Sequence, residues 1–264
     1  DLHSFPTRRS SDLNAALTRE QKIEYLQLLE EKNARRRRNR AKLFKPYGWQ
    51  SKFYAAGATS KQRLLMAANR VGKTFSAAQE FAYHLTGRYP DWWEGYRFKG
   101  PIRAWALGVT GEQIRDVIQK ELFGEWDQSS DQPSGEGSVP HSDIVFSSLI
   151  RSPQTKQLVK DIQVRHVSGG VSSISLKAYS QGQHVMMGPS IDLIWIDEEP
   201  TDEEIYPQCL TRTATGDNGR GGLVMMTFTP ENGMTLLVAQ FMEELKPGQY
   251  LDRKSTRLNS SHER

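Results

Sequence analysis

Leu64-Leu65-Met66-Ala67-Ala68-Asn69-Arg70-Val71-Gly72-Lys73-Thr74 decides how the rest of the chain is read. An apolar run passes into a Gly-Lys-Thr turn and then a helix-forming segment, Phe75 to Leu85, so the order is strand, turn, helix. The phosphate-loop pattern is G-x-x-x-x-G-K-[ST]. Ala67 stands where its first glycine belongs, whereas Gly72, Lys73 and Thr74 are intact.

In that reading the backbone N–H groups of Asn69, Arg70, Val71, Gly72, Lys73 and Thr74 curl around a β-phosphate at the positive end of the following helix. Gly72 permits the close approach. Lys73 lies between the β- and γ-phosphates as a point charge, and the Thr74 hydroxyl takes one position on Mg²⁺. Arg70, inside the loop, can reach forward to neutralise charge on the γ-phosphate, or point outward to an acidic surface residue. Taken alone, the segment is also compatible with a chance Gly-Lys-Thr before a helix.

A second stretch, Ile191-Asp192-Leu193-Ile194-Trp195-Ile196-Asp197-Glu198-Glu199-Pro200, is mostly apolar and ends in adjacent carboxylates. Burial on both faces explains the near-continuous hydrophobicity of such a strand. Ligands of open α/β sheets lie just beyond the carboxyl ends of the strands. Asp197 is therefore expected to face Mg²⁺, and Glu198 to polarise a water for in-line attack on the γ-phosphate. The alternative is an acidic N-cap for a helix opening near Asp202. The two stretches together point to hydrolysis of ATP.

Phe44-Lys45-Pro46-Tyr47-Gly48-Trp49-Gln50 precedes the loop. Tyr47 or Trp49 can stack on a purine, and the Gln50 amide can pair with the donor and acceptor of an adenine edge. Otherwise the aromatics simply seat the N-terminal segment on the core.

With 264 residues, 37% hydrophobic and 25% charged, the chain has the composition of an ordinary globular protein. Cys209 is the only cysteine, which rules out an internal disulfide and a cysteine-rich zinc site. No apolar run approaches the roughly 18 residues of a membrane span, and no signal peptide opens the chain, so a cytoplasmic location is expected. The net charge of +4 is misleading, because residues 253–264 contribute +3 of it and residues 1–13 are balanced. Both ends resemble translated sequencing-adapter read-through, or else disordered tails, and are set apart from fold reasoning. The expected organisation is a tail over 1–13, a basic helix within 14–43, the α/β body over 44–252 and a tail over 253–264.

From Thr18 a capping box with Gln21 opens a helix expected to reach Lys42, acidic early and basic late through Arg35, Arg36, Arg37, Arg38, Arg40 and Lys42. That basic cluster is a solvated helix end, a phosphate-backbone grip or a dock for an acidic partner. Downstream, Gly87 to Pro101 reads as loop, Ile102 to Val109 as strand, Glu112 to Phe123 as helix, and Gly124 to Pro140 as loop. The β-α-β-α order begins a parallel sheet. Residues 143–150, 162–167 and 172–179 suggest antiparallel strands at its edge. Ser180 to Ser190 reads as a mobile loop, Glu203 to Thr211 as helix, Gly216 to Gly222 as turn, and Leu223 to Thr229 as another buried strand. Met234 to Leu245 is expected to close the chain as a helix. The hydroxyls of Thr227 and Thr229, at the tip of a strand beside the acidic one, are expected to sense the γ-phosphate.

With these residues in place, the chain resembles the ATPase domain of tailed-phage terminase large subunits over about residues 40 to 250. Four features carry the resemblance in order: the Gln motif ending at Gln50, the deviant phosphate loop bearing Arg70, Asp197-Glu198 at the Walker B strand, and Thr227-Phe228-Thr229 as coupling motif. The resemblance implies a RecA-like P-loop NTPase sheet with an additional strand, with ATP and Mg²⁺ as cofactors. It implies ATP-driven translocation of double-stranded DNA into a procapsid, and a C-terminal nuclease domain beyond this chain. The implied partners are the portal protein, the small terminase subunit and a homo-oligomeric ring, all in an infected bacterial cell. An arginine finger from a neighbouring subunit, Arg212 or Arg220, is the alternative to Arg70. A superfamily 2 helicase shares the Gln motif and the Asp-Glu pair, but Glu199-Pro200 follows here instead of Ala-His or Ala-Asp. A non-catalytic DNA- or portal-binding fragment is the remaining alternative.

Overall fold

The protein's structure, a computed structural model, describes residues 18–182, 186–231 and 233–254. The expectation for residues 1–13 lies outside them. Two compact units divide the chain between Arg38 and Asn39.

The first unit contributes α1, Arg19–Arg37. Its capping box is formed: Thr18 Oγ1 accepts the Gln21 N–H at 3.3 Å, and Gln21 Oε1 accepts the Thr18 N–H at 2.9 Å. None of its residues is buried. The helix expected to reach Lys42 stops early, because Asn39 adopts non-helical angles (φ −128°, ψ 36°) after a run of four like charges. The second unit resumes with α2, Arg40–Leu43, whose Ala41 is buried and accepts the Tyr83 hydroxyl at 3.0 Å. The boundary therefore falls before Arg40 and not after residue 43.

The second unit is an eight-stranded sheet in the order β10-β1-β9-β8-β2-β7-β6-β5. Its strands are β1 (Gln62–Ala67), β2 (Arg103–Gly108), β5 (Ile144–Arg151), β6 (Val159–Arg165), β7 (Val171–Ala178), β8 (Leu193–Asp197), β9 (Leu223–Phe228) and β10 (Gln249–Lys254). A small hairpin, β3 (Trp126–Asp127) and β4 (Gln132–Pro133), stands within the expected loop 124–140. From β10 to β7 every neighbour is parallel, whereas β6 and β5 are antiparallel additions; the run 172–179, expected to be a third such strand, is β7, which is parallel to β2 and antiparallel only to β6. The parallel strands put the ends of β1, β2, β7, β8 and β9 along one rim.

Burial on both faces explains the strand sequences. Leu65, Trp195 and Met225 join one core cluster, while Leu64, Met66, Ile194, Ile196, Val224 and Met226 join the other. Successive side chains of a strand point to opposite faces, so each continuous apolar run feeds two cores. Besides a four-residue turn at Gly216–Gly219, with non-helical angles at Asp217 and Asn218, the α-helices are α3 (Gly48–Ala56), α4 (Lys73–Thr86), α5 (Gly111–Gln113), α6 (Lys120–Phe123), α7 (Ile205–Thr213) and α8 (Leu236–Glu243). A π-helical stretch, Ile114–Gln119, joins α5 to α6, and Ile114, Ile118 and Leu122 are buried one turn apart. The expected closing helix, Met234 to Leu245, is shorter at both ends. The chain then adds β10, parallel to β1, with Gln62 opposite Gln249 and Ala67 opposite Lys254. Residues 253 and 254, assigned to a tail from sequence, therefore lie inside a strand. Among the described residues, no helix is long and apolar enough to cross a membrane.

Candidate active site

The phosphate-loop segment leaves β1 at Ala67 and enters α4 at Lys73. Gly72 has φ 87°, and a Cβ built there would meet nothing within 4 Å. The glycine is thus required by its left-handed backbone and not by crowding in this structure. Ala67 has no positive φ, so it fills the place of the missing glycine without strain. Arg70 does adopt a left-handed conformation, φ 64°. It is exposed and forms no hydrogen bond or ion pair among the described residues.

Lys73 is 6% exposed, and its ammonium donates to Ala67 O at 2.9 Å, Ala68 O at 2.9 Å and Thr229 Oγ1 at 2.8 Å. Burial pulls its pKa down, and the negative charges of Glu198, Asp197 and Glu231 oppose that pull. Thr74 Oγ1 lies 3.3 and 3.4 Å from the two Asp197 carboxylate oxygens. Parallel pairing of β8 with β9 and β9 with β1 brings the three strand tips side by side.

Asp197 is 1% exposed. Burial pushes its pKa up to about 7 and Glu198 adds to the rise, while hydrogen bonds from Thr227 and Thr74 and the charge of Lys73 counter it. A buried carboxylate beside a hydroxyl is an all-oxygen donor set of the kind a hard divalent cation takes, so the residues fit Mg²⁺. Burial also raises the pKa of Glu198. Glu198 has φ 65°, and its N–H donates to Thr227 O at 2.9 Å. Glu199 is turned elsewhere and accepts the hydroxyl of Thr235, the N-cap of α8. Neither carboxylate caps α7, whose entry uses Asp202 Oδ1 as acceptor for the Glu204 N–H at 2.9 Å.

The coupling residues divide. Thr227 is wholly buried: Trp195 Nε1 donates to its oxygen at 2.8 Å, and its hydroxyl donates to Asp197 Oδ1 at 2.7 Å. It holds the Asp197 carboxylate, a contact the expected sensing role did not include. Thr229 contacts the phosphate-loop segment directly: its hydroxyl lies 2.7 Å from Asn69 Oδ1 and 3.0 Å from Ala67 O. Asn69 Nδ2 in turn donates to Glu231 Oε1 at 3.0 Å. The Asn69–Glu231 contact and the bond from Trp195 were not foreseen. The one available signal was a tryptophan within an apolar strand, because a buried indole N–H seeks an acceptor.

The segment before α3 flanks the same region. Phe44 packs edge-on against Phe75 with ring centroids 5.4 Å apart, and Tyr54 OH lies 2.7 Å from Ser76 Oγ in the first turn of α4. Trp49 is packed on the core, whereas Tyr47 is 70% exposed. Gln50 is 2% exposed, and its Oε1 accepts the Tyr47 N–H at 2.8 Å, so its geometry in this structure is that of a helix cap. Arg212 and Arg220 lie near the start of β9 and the approach to β8, at the rim opposite the phosphate loop. Arg212 donates to Gly188 O at 2.6 Å, and Arg220 lies 3.7 Å from Asp217. Within one subunit both are remote from Lys73.

Residues 64–259 match the family model of the terminase large subunit, T4likevirus-type, N-terminal. The chain is 38% identical over 244 residues to the large terminase subunit of Salmonella phage P22, covering 86% of this chain and 47% of that protein. It thus spans about half the length of the curated relative it matches. The fold is similar to a large terminase from a thermophilic bacteriophage, with TM-score 0.54 and 11% identity over 79% of this chain and 46% of that one. The ATPase domain of a Thermus phage large terminase aligns with TM-score 0.47 and 16% identity, covering 80% of this chain and 81% of that one. The chain belongs to the N-terminal family of phage terminase large subunits.

Proposed function

We propose that this chain is the ATP-hydrolysing part of a DNA-packaging motor. The observation that carries the reading is the joining of three strand tips: Lys73 on Thr229 at 2.8 Å, and Thr74 beside Asp197 at 3.3 Å. Lys73 and the amides of residues 69–74 bind the phosphates, with Arg70 beside the γ-phosphate and Tyr47 and Gln50 at the base. Thr74 and Asp197 would hold Mg²⁺, which would supply neutralisation of the phosphate charge. Glu198 orients and deprotonates the attacking water, and Thr229 registers the γ-phosphate. Family membership favours this reading over a helicase ATPase domain.

The substrates and partners proposed for the whole motor are double-stranded DNA, the portal protein, the small terminase subunit and a ring of copies of this chain, acting in the cytoplasm of an infected bacterium. Mg²⁺-dependent ATP turnover, assayed with and without the small subunit and abolished by Lys73→Ala, is the expected result. Turnover that Lys73→Ala leaves intact would remove the proposal, and absence of nucleotide binding would favour a non-catalytic fragment.

A further inference from the structure

The backbone of Glu198 is held at its N–H by Thr227, on β9, and at its carbonyl by Tyr179, just after β7. The Glu198 N–H is fixed by Thr227 O at 2.9 Å. The phenol oxygen of Tyr179 lies 3.2 Å from Asp197 O, 3.2 Å from Glu198 O and 3.4 Å from Leu107 O. Tyr179 is the first residue after β7, so its side chain spans the end of β2 to reach the tip of β8. It is 8% exposed and packs in the core cluster with Ile196 and Ile205. The phenol O–H donates among the three carbonyls.

The held residue has φ 65°, a conformation that an L-residue other than asparagine or aspartate rarely adopts. Such strain persists only where surrounding contacts impose it. Relaxing Glu198 to a negative φ would rotate its Cα–Cβ bond and redirect the carboxylate, which now interacts electrostatically with Lys73 and Asp197. We propose that Tyr179 is a positioning residue for Glu198, its hydroxyl fixing the left-handed backbone that aims the carboxylate. The proposal rests on the reading of Glu198 as the group that activates water.

Tyr179→Phe removes the hydroxyl and keeps the ring. Single-turnover hydrolysis at saturating Mg–ATP should fall about tenfold or more, with Mg–ATP affinity unchanged. In the isotopically labelled chain, the backbone chemical shifts of Glu198 should move from left-handed toward extended values. Unaltered Glu198 shifts would overturn the proposal, as would full hydrolysis with shifted signals, or affinity falling in step with rate. If the substitution lowers stability, the shift measurement in the nucleotide-bound chain still decides. Glu198→Gln separates the two readings: normal hydrolysis by that variant removes the role of Glu198, while the backbone effect of Tyr179→Phe remains readable.

Discussion

The Lys73 ammonium and the Thr229 hydroxyl lie 2.8 Å apart, joining the first turn of α4 to the residue after β9. Thr229 also contacts Asn69 at 2.7 Å, so one hydroxyl touches the phosphate-loop segment at two points. A change in what Lys73 contacts is therefore felt at the tip of β9 without any intervening element.

Lys73→Ala and Glu198→Gln should both stop turnover and differ in binding. Losing an ammonium that donates to phosphate costs about 1.5–3 kcal/mol, roughly 10- to 150-fold in ATP affinity. The glutamine preserves shape and leaves affinity within a few fold. Equilibrium binding of a fluorescent ATP analogue, beside phosphate release, checks both. Normal hydrolysis by Glu198→Gln would remove its assigned role.

Arg70→Lys should lose most of the rate that Arg70 supplies, because a point charge cannot reproduce a planar fork spanning two phosphate oxygens. A finger contributes roughly 10³ to 10⁵ in rate. Single-turnover hydrolysis with saturating nucleotide is the measurement. Near-normal rates for Arg70→Ala, with activity lost on mixing in subunits lacking Arg212 or Arg220, would transfer the role to a neighbour.

Gln50→Ala tests two roles at once. Loss of the bond to the Tyr47 N–H should destabilise α3 by about 1 kcal/mol, seen in urea unfolding. If Gln50 also reads adenine, the preference for ATP over GTP should narrow. A stability loss with unchanged nucleotide preference would leave it a cap alone.

A buried network under the phosphate-loop helix should make stability acid-sensitive. Arg63 Nη2 donates to Glu80 Oε1 at 2.5 Å, and His84 Nε2 lies 3.3 Å from the same oxygen. Burial lowers the His84 pKa against the opposing pull of Glu80. The unfolded chain therefore binds a proton near pH 6.5 that the folded chain does not, and stability falls as pH drops below that value, by up to about 1.4 kcal/mol per pH unit. The Glu80 pKa is also lowered: burial pushes it up, and Arg63 and His84 outweigh that push. Its contribution is present above the unfolded carboxylate range and is lost on further acidification. Urea midpoints at pH 7.5 and 5.5 should differ less for His84→Gln than for the parent chain. Arg63→Met should cost about 3–5 kcal/mol by stranding Glu80, and adding Glu80→Gln should recover part of it.

Much of this was legible because it rests on local pattern. Continuous apolar runs gave the central strands, and short β-rich runs between turn signals gave β5 and β6 as antiparallel additions. Gly-Lys-Thr and Asp197-Glu198 could be placed at strand tips because parallel strands end at one rim. What escaped depended on partners distant in sequence. Nothing near Thr227 reveals that Trp195 occupies its hydroxyl oxygen, and nothing near Tyr179 points to Glu198. β10 was hidden because Gln249-Tyr250-Leu251-Asp252 is too polar and short to be read as a strand, and only pairing with β1 makes it one. Asn39 ended the first helix where the charge pattern alone suggested continuity.

At φ 65°, Glu198 occupies a position where glycine would be the more comfortable residue. The left-handed conformation costs an ordinary L-residue roughly 1–2 kcal/mol. Selection for thermal robustness alone would thus favour erasing the carboxylate, and stability-guided redesign of this fold would be drawn to the same exchange. Persistence of a side chain here is a trade-off in which the folded state gives up ease so that the rim of the sheet can carry charge.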